Sequence, residues 1–152
     1  MKRILAMGLV LALFSGLLGG CGKDWSHIQA EDFVLTITSD KTTYGRHEDI
    51  IIDISLENKS GEDLEIAYYF LFNVRIPTSS ISPSTPEIPQ YPNIKVFKAG
   101  EVIRRKDNLT GLFEPLGEHE IYYSAFFYLG GRESEEMRRW VYSNTLTITV
   151  TE

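Results

Sequence analysis

The sequence predicts an all-β protein, an antiparallel sandwich of about seven strands that follows a cleaved signal peptide. Three observations lead to this prediction. Apolar and polar residues alternate over several short stretches, which is the pattern of strands with one buried face. Glycine and other turn-forming residues separate these stretches. No segment keeps the 3.6-residue period of an amphipathic helix.

Residues 1–20 are typical of an export signal. Two basic residues, Lys2 and Arg3, precede an uncharged run that continues to Gly20. The apolar part, residues 4–18, is shorter than the roughly 20 residues that a membrane-spanning helix needs, which favours a cleaved signal over a permanent anchor. We therefore predict a signal peptide over residues 1–20.

The end of the apolar run, Leu18-Gly19-Gly20-Cys21, contains the only cysteine of the chain. This motif resembles the lipobox of bacterial lipoproteins. The resemblance implies cleavage before Cys21, diacylglycerol on its thiol and acylation of its new amino group. Two or three acyl chains hold a protein stably to a bilayer, whereas one holds it only marginally. The alternative is an unmodified cysteine at the end of an ordinary signal peptide.

The composition argues against several classes of function. Loss of residues 1–20 leaves 13 basic and 21 acidic residues, a net charge of −8, and the basic residues are dispersed. We therefore expect no nucleic-acid partner. Without a second cysteine, the domain has no internal disulfide and no thiolate metal site. Its stability must come from packing one core, for which about 120 residues suffice.

After the signal, residues 21–31 are predicted to be a short polar tether and residues 32–152 a single domain. Residues 64–76 alternate throughout, so they form either one long strand or two strands joined by a bulge. Residues 131–139 are predicted to be a hairpin tip. Strands are predicted over residues 33–38, 50–57, 64–76, 94–97, 101–104, 121–129 and 142–151. Seven strands with turns between them are typical of an immunoglobulin-like sandwich.

Residues 77–92 form a proline-rich segment with Pro83, Pro86, Pro89 and Pro92 at intervals of three, the period of a polyproline II helix. A linker between two domains is excluded, because neither the strands before it nor those after it can close a sandwich alone. A ligand for a proline-binding groove is an alternative. We predict a long loop within one domain.

The candidate catalytic and metal-binding residues do not combine into a recognisable site. His47 and His119 are each flanked by carboxylates, but neighbours on a strand point to opposite faces and cannot chelate one ion together. We interpret both histidines as solvated groups. The sequence has no nucleophile elbow, zinc-binding helix motif, phosphate loop or calcium loop. We expect no catalytic residue, no metal and no cofactor other than the lipid on Cys21.

Two predicted strands carry bulky side chains opposite their buried faces. In an immunoglobulin-like sandwich these strands are neighbours in one sheet, so the side chains form a single outer patch. Either the proline-rich loop covers this patch with Ile81, Ile88 and Tyr91, or the patch is a partner-binding face. The candidate binding residues are Tyr69, Leu71, Tyr91, Tyr122, Phe126 and Tyr128.

Three segments carry a second resemblance. Residues 38–66 resemble the opening strands of bacterial immunoglobulin-like and macroglobulin-like domains, with a tyrosine, an acidic turn and alternating isoleucines. Residues 112–127 and 143–150 are similar to the closing strands, with His119 where a tyrosine often stands. A weaker likeness is to a small bacterial family of proteinase inhibitors built on such a sandwich.

Together these features predict a cell-envelope lipoprotein whose single β-sandwich acts as a non-catalytic protein-binding or accessory module. The lipid places it on the outer side of the cytoplasmic membrane or in the outer membrane. Its expected contacts are the membrane and an envelope or secreted protein. The alternative is a proteinase inhibitor, in which prolines would stiffen the presented loop and reduce the entropy lost on binding.

Overall fold

A computed structural model describes residues 23–69, 72–77, 91–113, 116–131 and 133–152. Over these ranges the chain forms strands and two 3-10 turns, Ala30–Asp32 and Glu135–Met137, without an α-helix, so the predicted all-β class is confirmed. The predicted signal peptide, Cys21 and most of the proline-rich loop lie outside the described residues. In the part of the chain that the structure describes, no helix is long and apolar enough to cross a membrane.

Ten strands form in the described residues, and every predicted strand overlaps at least one of them. Two, β2 and β9, were not predicted. The strands are β1 Phe33–Ser39, β2 Thr43–Gly45, β3 Ile51–Asn58, β4 Leu64–Tyr68, β5 Phe72–Arg75, β6 Asn93–Phe97, β7 Val102–Asn108, β8 Gly117–Leu129, β9 Arg138–Tyr142 and β10 Leu146–Thr151.

The strands are arranged in a small sheet and a larger one. The small sheet is antiparallel, in the order β1-β3-β7. In the larger sheet β8 is central, with β4 and β5 along one side and β9 and β10 along the other. Strand β6 extends this sheet beyond β4, and β2 lies parallel to β10 at the opposite edge. The larger sheet is therefore mixed.

The segment with continuous alternation, residues 64–76, is interrupted. Ala67 of β4 lies opposite Tyr128, whereas Phe72 of β5 lies opposite Ala125, so the register with β8 shifts by two residues between the two strands. Since an even shift preserves the side-chain period, the apolar residues on both strands still face inward. One long strand and two consecutive strands were the alternatives for residues 64–76, and the structure shows two strands, β4 and β5.

Residues 143 and 144, between β9 and β10, connect the two sheets through hydrogen bonds. The backbone N–H of Tyr123 donates to Oγ of Ser143 at 2.9 Å. A side-chain hydroxyl thus accepts the hydrogen bond that a backbone carbonyl of the neighbouring strand accepts in a regular sheet. The next residue, Asn144, uses its amide on Ile37 of β1: its Oδ1 accepts from the backbone N–H at 2.9 Å, and its Nδ2 donates to the carbonyl at 3.1 Å. The open edge of β1 is thereby tied to the larger sheet.

One core lies between the two sheets. Phe33 of β1 packs edge-to-face on Phe127 of β8, with ring centroids 4.9 Å apart, and stacks on Phe97 of β6 at 6.1 Å. Aromatic pairs of this geometry stabilise a fold by about 0.5–1.5 kcal/mol beyond the area that they bury. The aliphatic residues around them are fully or almost fully buried, namely Leu35, Ile37, Ile52, Ile54, Leu56, Leu64, Ile66, Ile121 and Ile148.

The segment before β1 is packed onto this core from Trp25 onward. Trp25 and Ile28 are buried, and the backbone carbonyl of Ile28 accepts a hydrogen bond from Nε of Arg139 at 2.8 Å. The Trp25 ring lies against the turn after β8, where Gly130 adopts a φ of +72°. This part of the predicted tether therefore belongs to the folded domain.

Candidate binding face

The outer face of the larger sheet is built around β8. Tyr122, Phe126 and Tyr128 share this face, because they alternate along the strand with the buried Ile121, Tyr123 and Phe127. Their side chains are half-buried. Since β8 has partner strands on both sides, cross-strand neighbours from β4, β5 and β9 surround these three aromatic residues.

Three aromatic rings contact one another on this face. Phe126 lies directly opposite Trp140 of β9, and their ring centroids are 4.5 Å apart. Phe126 also meets Tyr128 edge-to-face at 5.0 Å. Because each ring is held by a strand and by another ring, the aromatic surface is largely preorganised for binding.

Exposed apolar side chains also lie on two other strands of this sheet, β6 and β9. Trp140 and Tyr142 of β9 are 41% and 64% exposed, and Ile94 and Val96 of β6 are 61% and 52% exposed. Ile94 lies opposite Ala67, which is fully buried and lies opposite Tyr128, so the exposed residues of β6 and β9 lie on the same face of the sheet as Tyr128. We call this surface, formed by Ile94, Val96, Phe126, Tyr128, Trp140 and Tyr142, the apolar band.

The small sheet has a different outer face. Thr36, Asp53, Arg104 and Lys106 point outward from it, and Val34 is its exposed large apolar residue at 37%. Four of the seven exposed large apolar residues in the described part of the chain lie instead on the apolar band. Contiguous exposed apolar surface marks interaction sites, whereas single exposed residues do not.

Charged residues border the band at both ends. Glu118 and Glu120 are exposed on the same face of β8, beyond Tyr122. At the other end, Glu65 is exposed beside Val96, and Arg138 forms an ion pair with Glu135. The band therefore has an apolar centre and a charged border, in which the carboxylates outnumber two arginines, Arg138 and the exposed Arg75 opposite Tyr122.

The structure brings together three of the six predicted binding residues, Tyr122, Phe126 and Tyr128. Tyr69 follows β4, and its hydroxyl donates to the carboxylate of Glu133, a hydrogen bond that raises the pKa of Tyr69. Tyr91 precedes β6 and is 74% exposed. Leu71 lies outside the described residues, as do Ile81 and Ile88.

Four exposed residues of the band were not predicted: Ile94, Val96, Trp140 and Tyr142. Ile94 and Val96 belong to a predicted strand, where their alternation with Asn93 and Lys95 was a usable signal of a separate apolar face. The predicted hairpin tip, residues 131–139, overlaps the first two residues of β9, and residues 140 and 141 were not assigned to a strand. Trp140 and Tyr142 alternate with the buried Val141, which was the corresponding signal there.

The two flanked histidines differ in environment. His47 is exposed, as predicted, but His119 is buried on the inner face of β8, with its ring centroid 5.0 Å from that of Phe113. The solvated interpretation is wrong for His119, because its parity along β8 directs it into the core. Within the described ranges, no three His, Cys, Asp or Glu residues are grouped so that they could hold a metal ion.

Comparisons with known proteins give no family for the chain. No family model matches it, and no curated protein matches it. A mutant β-glucosidase from Listeria innocua in complex with laminaribiose is 17% identical, with a TM-score of 0.38, over 79% of this chain and 16% of that one. A β-glucosidase from Erythrobacter marinus is 14% identical, with a TM-score of 0.39, over 78% and 15%.

The Listeria innocua β-glucosidase in complex with glucose is 14% identical, with a TM-score of 0.35, over 79% of this chain and 16% of that one. The chain thus spans about a sixth of the length of these solved proteins. Identities and scores this low assign neither a family nor an activity.

Proposed function

We propose that the chain is a cell-envelope lipoprotein whose single immunoglobulin-like sandwich acts as a non-catalytic protein-binding module. The apolar band is its binding face. The observation that carries this proposal is the exposure of Ile94, Val96, Trp140 and Tyr142 on the same face of the sheet as the Phe126–Trp140 ring pair.

The order of the strands supports the immunoglobulin-like assignment. In the constant-type sandwich the first, second, fourth and fifth strands form one sheet, and the third, sixth and seventh form the other. The sheet β1-β3-β7 corresponds to the first, second and fifth strands, and β8 with its neighbours on both sides corresponds to the second sheet, whereas β6, the fourth strand, departs from this order because it pairs with β4 in the larger sheet. In this correspondence β4 and β5 act as one strand, as do β9 and β10.

The chemistry of the band supports a protein partner. Tryptophan and tyrosine are enriched at the centres of protein interfaces, because they bury a large area and lose little conformational freedom. Their neighbours are aliphatic, and the charged groups lie at the border, which is the usual anatomy of such an interface. The proteinase-inhibitor alternative would use residues 77–92, most of which lie outside the described ranges.

The membrane part of the proposal is supported by the motif that ends in Cys21, which resembles a lipobox. Acylation there would hold the domain on the outer side of the cytoplasmic membrane or in the outer membrane. The substitution Cys21→Ala should abolish acylation and release the domain from the membrane fraction. A normally processed, membrane-bound variant would contradict this assignment.

Partner capture tests the binding face. Lipidated protein is crosslinked in cells and purified, and the wild type is compared with the double variant Trp140→Ser, Tyr142→Ser. We expect a discrete envelope protein to be recovered with the wild type and lost with the double variant. The matched control is Val34→Ser on the small sheet, which should retain the partner. Retention by the double variant, with its folding verified by urea unfolding, would place the site elsewhere.

A further inference from the structure

Resting on the proposed acylation of Cys21, we infer that the partner of the apolar band is a protein held in the same membrane. It meets the band with an apolar centre bordered by basic residues. Three observations support it. The N-terminal segment, residues 23–28, is fixed to the domain, the band begins close to that segment, and carboxylates outnumber cations at that end of the domain.

The N-terminal segment, residues 23–28, is held rigidly on the domain. We call this segment the mount, and the end of the domain that carries it the mounted end. Trp25 and Ile28 are buried in the domain, and Arg139 holds the backbone of Ile28. Arg139 is itself fixed, because its Nη1 donates to the carbonyl of Glu136 at 2.8 Å. Rotation of the domain about this segment would break buried apolar contacts and these hydrogen bonds.

The mount continues to Lys23. Its Nζ lies 4.2 Å from the centroid of the Trp25 ring and 3.3 Å from Oε2 of Glu62. Gly22 is the single residue between Lys23 and Cys21. Since two residues span at most about 7 Å, acylation of Cys21 would bring this end of the domain close to the membrane surface.

The band begins at the mounted end. Trp25 lies against Gly130, which directly follows the last residue of β8. Tyr128 and Phe126 precede Gly130 by two and four residues, so they lie about 7 and 13 Å from it along the strand. A partner must therefore reach the band close to the membrane surface, where proteins of the same membrane have the highest effective concentration.

The charges favour a protein over lipid as the occupant. Among the described residues, the carboxylates outnumber the cations at the mounted end, where Lys23 pairs with Glu62, Lys59 with Glu57 and Arg138 with Glu135, and where Lys98 is exposed. An acidic end is repelled by anionic headgroups and attracts a basic protein surface. The exposed or half-buried acidic residues near this end are Glu62, Asp63, Glu65, Glu133, Glu135 and Glu136.

The test uses a photo-reactive residue in place of Tyr142, in the full-length chain expressed in cells. The wild-type mount is compared with a chain that carries a flexible Gly-Ser insert of about 20 residues after Gly22, which adds about 25 Å of average reach. We expect one adduct with a membrane-held protein, and we expect the insert to lower its yield about fivefold or more. Acylation of Cys21 is measured in both chains.

A charge-reversal pair tests the complementary border. Glu65→Lys, at the mounted end, should lower the adduct yield several-fold, whereas Asp53→Lys, exposed on the outer face of the small sheet, should leave it nearly unchanged. Equal effects of the two variants would overturn the basic character of the partner.

The outcomes separate this inference from the proposed function. An adduct with a freely soluble protein, with lipid or with a second copy of this chain would overturn the inference, as would a yield that the insert does not change. Loss of acylation at Cys21 would overturn the proposed anchor. Absence of every adduct from the band, in an acylated chain, would overturn the proposed binding face and the inference with it.

Discussion

The hydroxyl of Tyr123 donates a hydrogen bond to Oδ2 of Asp107 at 3.0 Å, and this bond connects the two sheets at the margin of the core. Tyr123 lies on β8 and is fully buried, whereas Asp107 lies on β7. Nη2 of Arg105 donates to the same Asp107 oxygen at 2.7 Å. Burial, and then the charge of Asp107, raise the pKa of Tyr123, so the phenol is held as a neutral donor.

The first prediction concerns the stability that this bond provides. Tyr123→Phe removes the hydroxyl while preserving the packed ring, and we expect it to lower the free energy of unfolding by about 1–2 kcal/mol. Urea unfolding measures the change. Tyr122→Phe, one residue away on the outer face, is the matched control and should change the free energy by less than about 0.5 kcal/mol. Equal effects would show that the bond between sheets contributes nothing specific.

The second prediction concerns alkaline pH. The pKa of Tyr123 is raised in the folded chain, whereas that of an unperturbed tyrosine is about 10. Below about pH 10 the phenol is protonated in both states, and its contribution to stability is complete. Above that pH the unfolded chain ionises first, so the free energy of unfolding falls as pH rises.

Urea midpoints between about pH 9 and about pH 11 test this prediction. The wild type should lose stability more steeply than Tyr123→Phe, by up to about 1.4 kcal/mol per pH unit. The other tyrosines are common to both chains and cancel in the comparison. Parallel pH profiles would refute the argument.

The third prediction concerns Asn58, which is fully buried at the end of β3. Its Nδ2 donates to the carbonyls of Glu62 and Phe97, each at 2.9 Å, and thus links the turn after β3 to the turn after β6. Asn58→Ala leaves buried carbonyls without this donor, and we expect a loss of about 2–4 kcal/mol in urea unfolding. Asn73→Ala, on the half-buried outer side of β5, should change the free energy by about 0.5 kcal/mol or less.

The fourth prediction concerns the turn under Trp25. Gly130 and Gly100 have nearly the same φ, +72° and +71°. A Cβ on Gly130 would lie 3.1 Å from Cδ1 of Trp25, whereas one on Gly100 would have nothing within 4 Å. Both alanine variants should therefore lose about 1 kcal/mol from backbone strain, and Gly130→Ala should lose about 1 kcal/mol more from crowding.

Fluorescence provides a second readout for this pair. In a Trp140→Phe background the emission reports on Trp25, and it should change in Gly130→Ala but not in Gly100→Ala. If both variants lose equal stability and keep the same emission, Trp25 does not depend on its contact with the turn.

Alternation predicted β1 and β3 well because it depends on neighbouring residues in the chain. Ile52, Ile54 and Leu56 are buried as expected, since one face of β3 must lie against the core. The segment between β8 and β9 is a hairpin connection, as predicted, but β9 begins at Arg138, two residues inside the predicted range of 131–139. Arg139 is buried, because carbonyls of Ile28, Glu136 and Arg138 satisfy its guanidinium. The carbonyls of Ile28 and Glu136 lie far away in the sequence or outside regular strands, so the alternation of apolar and polar residues does not reveal them.

By itself, the sequence determined the all-β class, the inner faces of the strands and three aromatic residues of the outer face, since each depends on the side-chain period of two. Only the tertiary structure decided what lies beside those aromatic residues. Strand pairing brings Trp140 onto Phe126 and places Ile94 in line with Tyr128 through Ala67. These contacts follow from register between distant segments, which no local pattern encodes.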